Sequence, residues 1–289
     1  MKRIVLPLVL AMCGYAHAAE DNANVLLIGV RSGSIPLSYK DGTEYKGLAV
    51  DLCMQIFEEV KKTMPALTYK LVEVSSSTRI PFLKEGRIDM ECGSTTNSLS
   101  RRKEVAFSVP YFVSSVTGLT LSNSTIDFMR DIPDGSNVIY TKGTTTEDAV
   151  RRFDRTFNER SKLNLVNKMV GTDHQDSFNQ VTSGKALIFL NDDILLRGLI
   201  SASPNPENYR LISQVFTIEP YGVMTRLEDT KLQGTINKVI IKSMQDGSFL
   251  KLYDKWFQQP IPPKGSNLNI PMSRSLKDIV HFPTTVVGN

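Results

Sequence analysis

Asp89-Met-Glu-Cys-Gly93-Ser-Thr-Thr-Asn97-Ser-Leu-Ser-Arg101-Arg-Lys-Glu-Val-Ala-Phe-Ser-Val-Pro-Tyr111 is the stretch on which the reading of this chain turns. Ile88 and Met90 alternate as in a strand, Gly93 breaks the run, and Ser94, Thr95, Thr96 and Asn97 follow. All four are helix-capping residue types, placed where a strand would turn into a helix. Such a turn aims free backbone N–H groups outward, and the expected helix carries Arg101 one turn in. Hydroxyls, unpaired N–H groups and a guanidinium then converge on one carboxylate, the arginine binding as a fork. The competing reading is a capped surface helix whose Arg101-Arg102-Lys103 faces solvent. Nothing in the stretch looks like a nucleophile with its base.

Upstream, the same arrangement recurs. Val25–Val30 is a continuous apolar run of strand length, the kind buried on both faces of a sheet, and it ends at Arg31. A turn-rich stretch from Ser38 to Gly47 leads to helical periodicity over Leu48–Met64, with Leu52, Ile56 and Val60 on one face and Pro65 closing it. Tyr69–Val74 alternates as a second strand, and Ser75-Ser-Ser-Thr-Arg79 follows at a helix start. Strands alternate with helices, which predicts an α/β layer architecture with a mostly parallel sheet. Its ligands bind beyond the carboxyl ends of the strands, where the polar turns lie.

Downstream, Val116–Leu121 reads as a crossover into a fresh set of alternating elements. Asn137–Thr141 is a strand, Thr144 and Glu147 are spaced as a capping box before a helix from Asp148, and Gly171–Ser177 is a turn before a short helix. Lys185–Leu190 is a strand that ends at Asn191-Asp192-Asp193, two carboxylates that would cap the next helix. Taken singly, His174 is a surface-loop histidine and Asp192 an ordinary cap. Thr217–Val223 is a return crossover, followed by helices over Thr230–Met244 and Ser248–Phe257. The first lobe then spans 24–117 and 221–259, and the second 118–220. The tail 260–289, with Pro262-Pro263, reads as an extended wrap.

Lys2 and Arg3 precede the apolar run Ile4–Met12, and Ala16-His17-Ala18 supplies small residues for a signal peptidase, so residues 1–18 are expected to be a signal peptide cleaved after Ala18. Acylation at Cys13 is disfavoured by Met12 before it. No stretch approaches the roughly 20 apolar residues of a membrane helix. The mature chain of 271 residues keeps +2 of the +4 formal charge, too little for a nucleic-acid footprint. Cys53 and Cys92 remain in a compartment where disulfides persist, and both a Cys53–Cys92 bond and two buried thiols stay open; their spacing fits no zinc motif.

Ser76-Ser-Thr-Arg79, Asp89-Met-Glu-Cys-Gly-Ser-Thr-Thr-Asn97, Arg101, Gly143-Thr-Thr145, Asp173-His174, and Tyr253-Asp-Lys-Trp-Phe257 before Ile261-Pro-Pro-Lys264 together resemble the periplasmic glutamate/aspartate-binding proteins of ABC importers, within bacterial solute-binding protein family 3. The resemblance covers nearly the whole mature chain. It implies a two-lobed type II periplasmic-binding-protein fold with two crossovers, a periplasmic monomer, L-glutamate or L-aspartate as ligand, and an ABC permease of the inner membrane as partner. It implies no metal and no cofactor. Carried over by position, Arg101, Ser94, Thr96 and Thr145 hold the α-carboxylate and Asp192 the α-ammonium. Arg31, Ser76, Arg79 and His174 hold the side-chain carboxylate. Three arginines and one aspartate, with a neutral His174, would give the site a charge of +2. The alternatives are a sensory module with the same cleft, and a dehydratase-like enzyme using a cleft carboxylate as acid or base, which should show a perturbed, substrate-facing Glu. Against an enzyme, the mature chain has only His174 and His281, no nucleophile motif and no glycine-rich dinucleotide fingerprint.

Overall fold

The computed structural model describes residues 24–157 and 162–285; the expected signal peptide, its cleavage site and Cys13 lie outside them. The chain opens with β1 (Val25–Val30), a small antiparallel meander over residues 33–46, α1 (Leu48–Lys61), β2 (Thr68–Glu73), α2 (Arg79–Lys84), β3 (Met90–Cys92) and β4 (Ala106–Phe107). A long strand, β5 (Phe112–Leu121), leads to β6 (Asn137–Thr141), α3 (Thr146–Phe157), β7 (Asn167–Gly171), α4 (His174–Thr182), β8 (Ile188–Asp192), α5 (Asp193–Ala202) and β9 (Tyr209–Leu211). Then β10 (Thr217–Tyr221) returns to β11 (Met224–Thr225), α6 (Thr230–Gln245), α7 (Ser248–Phe257) and α8 (Arg274–His281).

Two sheets result. The first has the order β2-β1-β3-β11-β4, with β1 parallel to β2 and β3, and β11 antiparallel to β3 and β4. The second has the order β7-β6-β8-β5-β9, with β6 parallel to β7 and β8, while β5 runs antiparallel to β8, β9 and β10. The two α/β lobes are joined by β5 and β10, which pair from Phe112↔Tyr221 to Val116↔Thr217. This is the expected two-lobed fold, completed from both chain ends.

The packing follows from the residue pattern. In β6 and β8, alternate side chains enter opposite faces: Val138, Tyr140, Ile188 and Leu190 join one core, Ile139 and Phe189 the other. In α1 the apolar stripe of Leu52 and Ile56 is fully buried, and Cys53 on the same helix is disulfide-bonded to Cys92 at the end of β3. Tyr253 and Phe257, one turn apart on α7, stack at 4.3 Å, and Phe257 stacks on Phe112 at the root of the first crossover.

Four local expectations are corrected. Ser38–Gly47 is part of the small meander, whose turn uses Gly42 at φ +62°. After Asn97 there is no full helix, only a 3₁₀ turn over Arg101–Lys103, because the backbone of the Ser94–Asn97 turn pairs with the return crossover. Asn97 N–H donates to Pro220 O, and Gly222 N–H to Thr95 O. Thr144 is not the cap of α3: the helix begins at Thr146, and Thr144 Oγ1 donates back to Thr141 O. The tail is not extended throughout, since Ser273 caps α8 by accepting from Leu276 N, and Leu276 is buried.

Candidate ligand-binding site

Three parallel strands of each sheet end on one gap between the lobes. In the first lobe, Arg31 follows β1, Ser76 and Arg79 follow β2, and Ser94 and Thr96 follow β3, with Arg101 on the 3₁₀ turn beyond. In the second, Thr145 follows β6, His174 opens α4 after β7, and Asp192 ends β8. Eight of the nine are buried, Thr145 is half-buried, and all but Arg31 line one narrow cleft together with Thr144 and Leu195. Arg31 stands one layer back, where its Nη2 donates to Ser76 Oγ at 2.8 Å.

The guanidiniums are fixed by backbone carbonyls and keep donors to spare. Arg79 Nη1 donates to Ser94 O and Arg101 Nη1 to Thr96 O, while the Nη2 of both donates to the single carbonyl of Gly143 from the opposite lobe. Gly143 has φ +79°, and a Cβ there would lie 2.5 Å from Ser76 O, so only glycine lets the second-lobe loop approach this closely. No ion pair within 4.0 Å joins Arg31, Arg79 or Arg101 to a carboxylate among the described residues. Burial, then the neighbouring Arg79, lowers Arg31 to about 10 and Arg101 to about 9; burial likewise lowers Arg79.

His174 is not a surface-loop residue. It is 4 % exposed, and burial, then Arg31 and Arg79, push its pKa well below the ordinary range, so the ring is neutral. Asn191 Nδ2 donates to its Nδ1, which places the ring proton on Nε2. Asp192 stands at the N-cap of α5, but its side chain makes no capping hydrogen bond. Asp192 accepts from Tyr221 Oη, and Asp193 accepts from Ser114 Oγ and Ser115 N, tying α5 to the first crossover. Burial, then the charge of Glu219, raises Asp192 to about 7.

Six buried polar atoms without a hydrogen-bond partner among the described residues cluster here: Arg31 Nη1, Arg79 Nε, Glu91 Oε1, His174 Nε2, Asn191 Oδ1 and Asp192 Oδ1. Most buried polar groups in folded proteins are paired by protein, ordered water or a ligand, so this concentration points to a polar binding site. It offers guanidinium and imidazole donors from one side and a carboxylate acceptor beside Arg101.

Two charged members were missed from the sequence. Glu91 in β3 is fully buried, and Glu219 in β10 is 3 % exposed, accepting from Thr145 Oγ1 and Thr217 Oγ1. Three guanidiniums therefore face three carboxyl groups, one of them partly protonated near neutrality, which lowers the expected +2 toward neutrality. Their arrangement is still uneven: Arg31 and Arg79 stand with Glu91, whereas Arg101 stands with Asp192 and Glu219. Neither gave a signal: alternation sets Glu91 on the face opposite the apolar Met90 and Cys92, and the partners of Glu219 are far away in sequence.

A two-lobed α/β molecule whose sheets turn their carboxyl edges onto one polar cavity, with paired crossovers between them, has the type II periplasmic solute-binding fold. The chain belongs to the bacterial extracellular solute-binding proteins, family 3, whose family model matches residues 26–259. Among its relatives, the L-glutamate/L-aspartate-binding protein of Pseudomonas aeruginosa is 39% identical over 264 residues, covering 90% of this chain and 85% of that one. The glutamate/aspartate import solute-binding protein of Escherichia coli K12 is 36% identical over 262 residues, with the same coverage. Among solved structures, a mutant of ArgBP from T. maritima superposes with a TM-score of 0.70 at 26% identity, covering 82% of this chain and 97% of that one. An ancestral amino-acid-binding protein, a precursor of cyclohexadienyl dehydratase, gives 0.68 at 25% identity, covering 81% and 96%. No helix among the described residues is long and apolar enough to cross a membrane.

Proposed function

We propose that this protein is the periplasmic substrate-binding component of an ABC importer, capturing L-glutamate or L-aspartate between its lobes and delivering it to an inner-membrane permease as a monomer. The observation that carries the reading is the cluster of unpartnered buried donors and acceptors around one cavity, drawn from both sheets. The names of the relatives agree with it. In this reading the lobes are 24–117 with 221–259, and 118–220. The ligand's α-carboxylate meets Arg101, Ser94, Thr96 and Thr145, and its ammonium meets Asp192. The side-chain carboxylate meets Arg79, Ser76 and His174 Nε2–H, with Arg31 behind. A neutral amide in that subsite would leave buried guanidinium donors uncompensated, at about 3–5 kcal/mol, so acidic ligands win by about a hundredfold or more.

A second reading is favoured by one feature. Asp192, raised to about 7, is the kind of carboxyl that a dehydratase-like enzyme would use as acid or base. Its hydrogen bond from Tyr221 and its place beside Arg101 instead suit an ammonium clamp. Calorimetric titration of unfolded, ligand-stripped and refolded mature protein with glutamate, aspartate, glutamine and arginine decides between them, with recovery of the ligand afterwards. The expected result is 1:1 binding of the acidic pair and ligand returned intact. Preference for a neutral or basic amino acid, or chemical change of the ligand, overturns the reading.

A further inference from the structure

Glu91 lies beneath the side-chain subsite and contacts no solvent. One carboxylate oxygen accepts from Thr95 Oγ1 at 2.8 Å, and the other has no hydrogen-bond partner among the described residues. The carboxylate rests against Arg31 across the backbone of Gly93, where an added Cβ would fall 2.3 Å from Glu91 Oε1 and 2.7 Å from Arg31 Cγ. No ion pair within 4.0 Å joins it to Arg31 or Arg79. Yet its charge acts on both guanidiniums, as the chief opposite charge on each. This counter-ion therefore offsets charge without consuming guanidinium N–H donors, and Arg31 Nη1 and Arg79 Nε stay free.

Resting on the acidic-ligand reading above, we propose that Glu91 is a positioning residue that sets the charge of the side-chain subsite. It holds Arg31 and Arg79 at one net positive charge, matched to a side chain with a single carboxylate. Thr95 orients it, and Gly93 leaves room for it. Because Glu91 also repels an incoming carboxylate, its neutral isostere should bind the acidic ligand more selectively.

The test compares wild type and Glu91→Gln, ligand-stripped and refolded, by calorimetric titration with L-glutamate and L-glutamine, with circular dichroism to establish folding. The amide oxygen of the variant can still accept from Thr95. The ratio of glutamate to glutamine affinity is expected to rise about tenfold or more in the variant, the scale of one buried like charge removed from near the ligand. A purely structural role would lower both affinities by the same factor. A ratio unchanged or reduced in the folded variant overturns the role of Glu91 while leaving the binding reading standing; a wild-type protein without glutamate preference overturns both. Should Glu91→Gln fail to fold, Arg31→Gln/Glu91→Gln restores the charge balance. Recovery of a cooperative melt in the double variant supports the pairing, and a double variant that also fails to fold overturns it.

Discussion

Ligand affinity should depend on pH through Asp192. In the ligand-free protein this carboxyl is raised to about 7, by burial first and by the charge of Glu219 second, so that near neutrality Asp192 is about half protonated. An ammonium against Asp192 favours the ionised form, so binding expels the proton. Affinity is therefore full well above pH 7 and falls as pH falls through that value, by up to tenfold per pH unit. The ionised fraction is about three-quarters at pH 7.5 and about 3% at pH 5.5, so affinity should drop about twentyfold over that window. Other titrations do not confuse the window. His174 is held neutral by burial and the two arginines, the guanidiniums stay charged, and a glutamate side chain titrates near 4.3. Titration in two buffers of different ionisation enthalpy counts the released protons, expected to approach one per ligand at pH 6. Asp192→Asn should bind weakly at pH 7.5 and show little slope. Affinity flat from pH 5.5 to 7.5, or an unchanged slope in Asp192→Asn, refutes the argument.

Three further outcomes can be checked on the same preparation. Arg79→Ala should erase about a hundredfold of discrimination between glutamate and glutamine, whereas Arg101→Ala should weaken both ligands alike if Arg101 takes, as proposed, the carboxylate common to all amino acids; equal losses for both ligands in the Arg79 variant contradict the assignment. Gly143→Ala should lower affinity for every ligand by tenfold or more without changing their order, because its Cβ would press on the Ser76 carbonyl across the lobes, as titration with several amino acids would read. Replacing Cys53 and Cys92 together by alanine should cost about 4 kcal/mol of stability by loop entropy for a separation of 39 residues, measured by denaturant unfolding, with glutamate affinity changed less than threefold.

How much of this was legible in the sequence depends on how far apart the cooperating residues lie along the chain. The strand ends were visible because each apolar run stops at a local cluster of hydroxyls, arginine or aspartate, as at Val30-Arg31, Val74-Ser75 and Leu190-Asn191. A parallel sheet brings such ends to one edge, so local punctuation predicts a common site, and the resemblance supplied the proposed assignment of residues to ligand groups. The role of Gly143 required two lobes to meet, since the atoms that exclude a Cβ belong to Ser76 and Ser77. Likewise the Ser94–Asn97 turn reads as a helix start, and becomes a braced loop only because residues 220–222, far along the chain, lie beside it. The counter-charges are the deepest case. Glu219 meets Thr145 across 74 residues and Glu91 sits inside a strand whose apolar neighbours, Met90 and Cys92, hide it as one more buried position. Local patterning thus exposes the groups that reach for the ligand, while the groups that balance their charge come from beneath and from the crossover, where only the assembled lobes bring them into range. A site can therefore be located from its sequence and still have its net charge misjudged, and the net charge decides how strongly it prefers an acid.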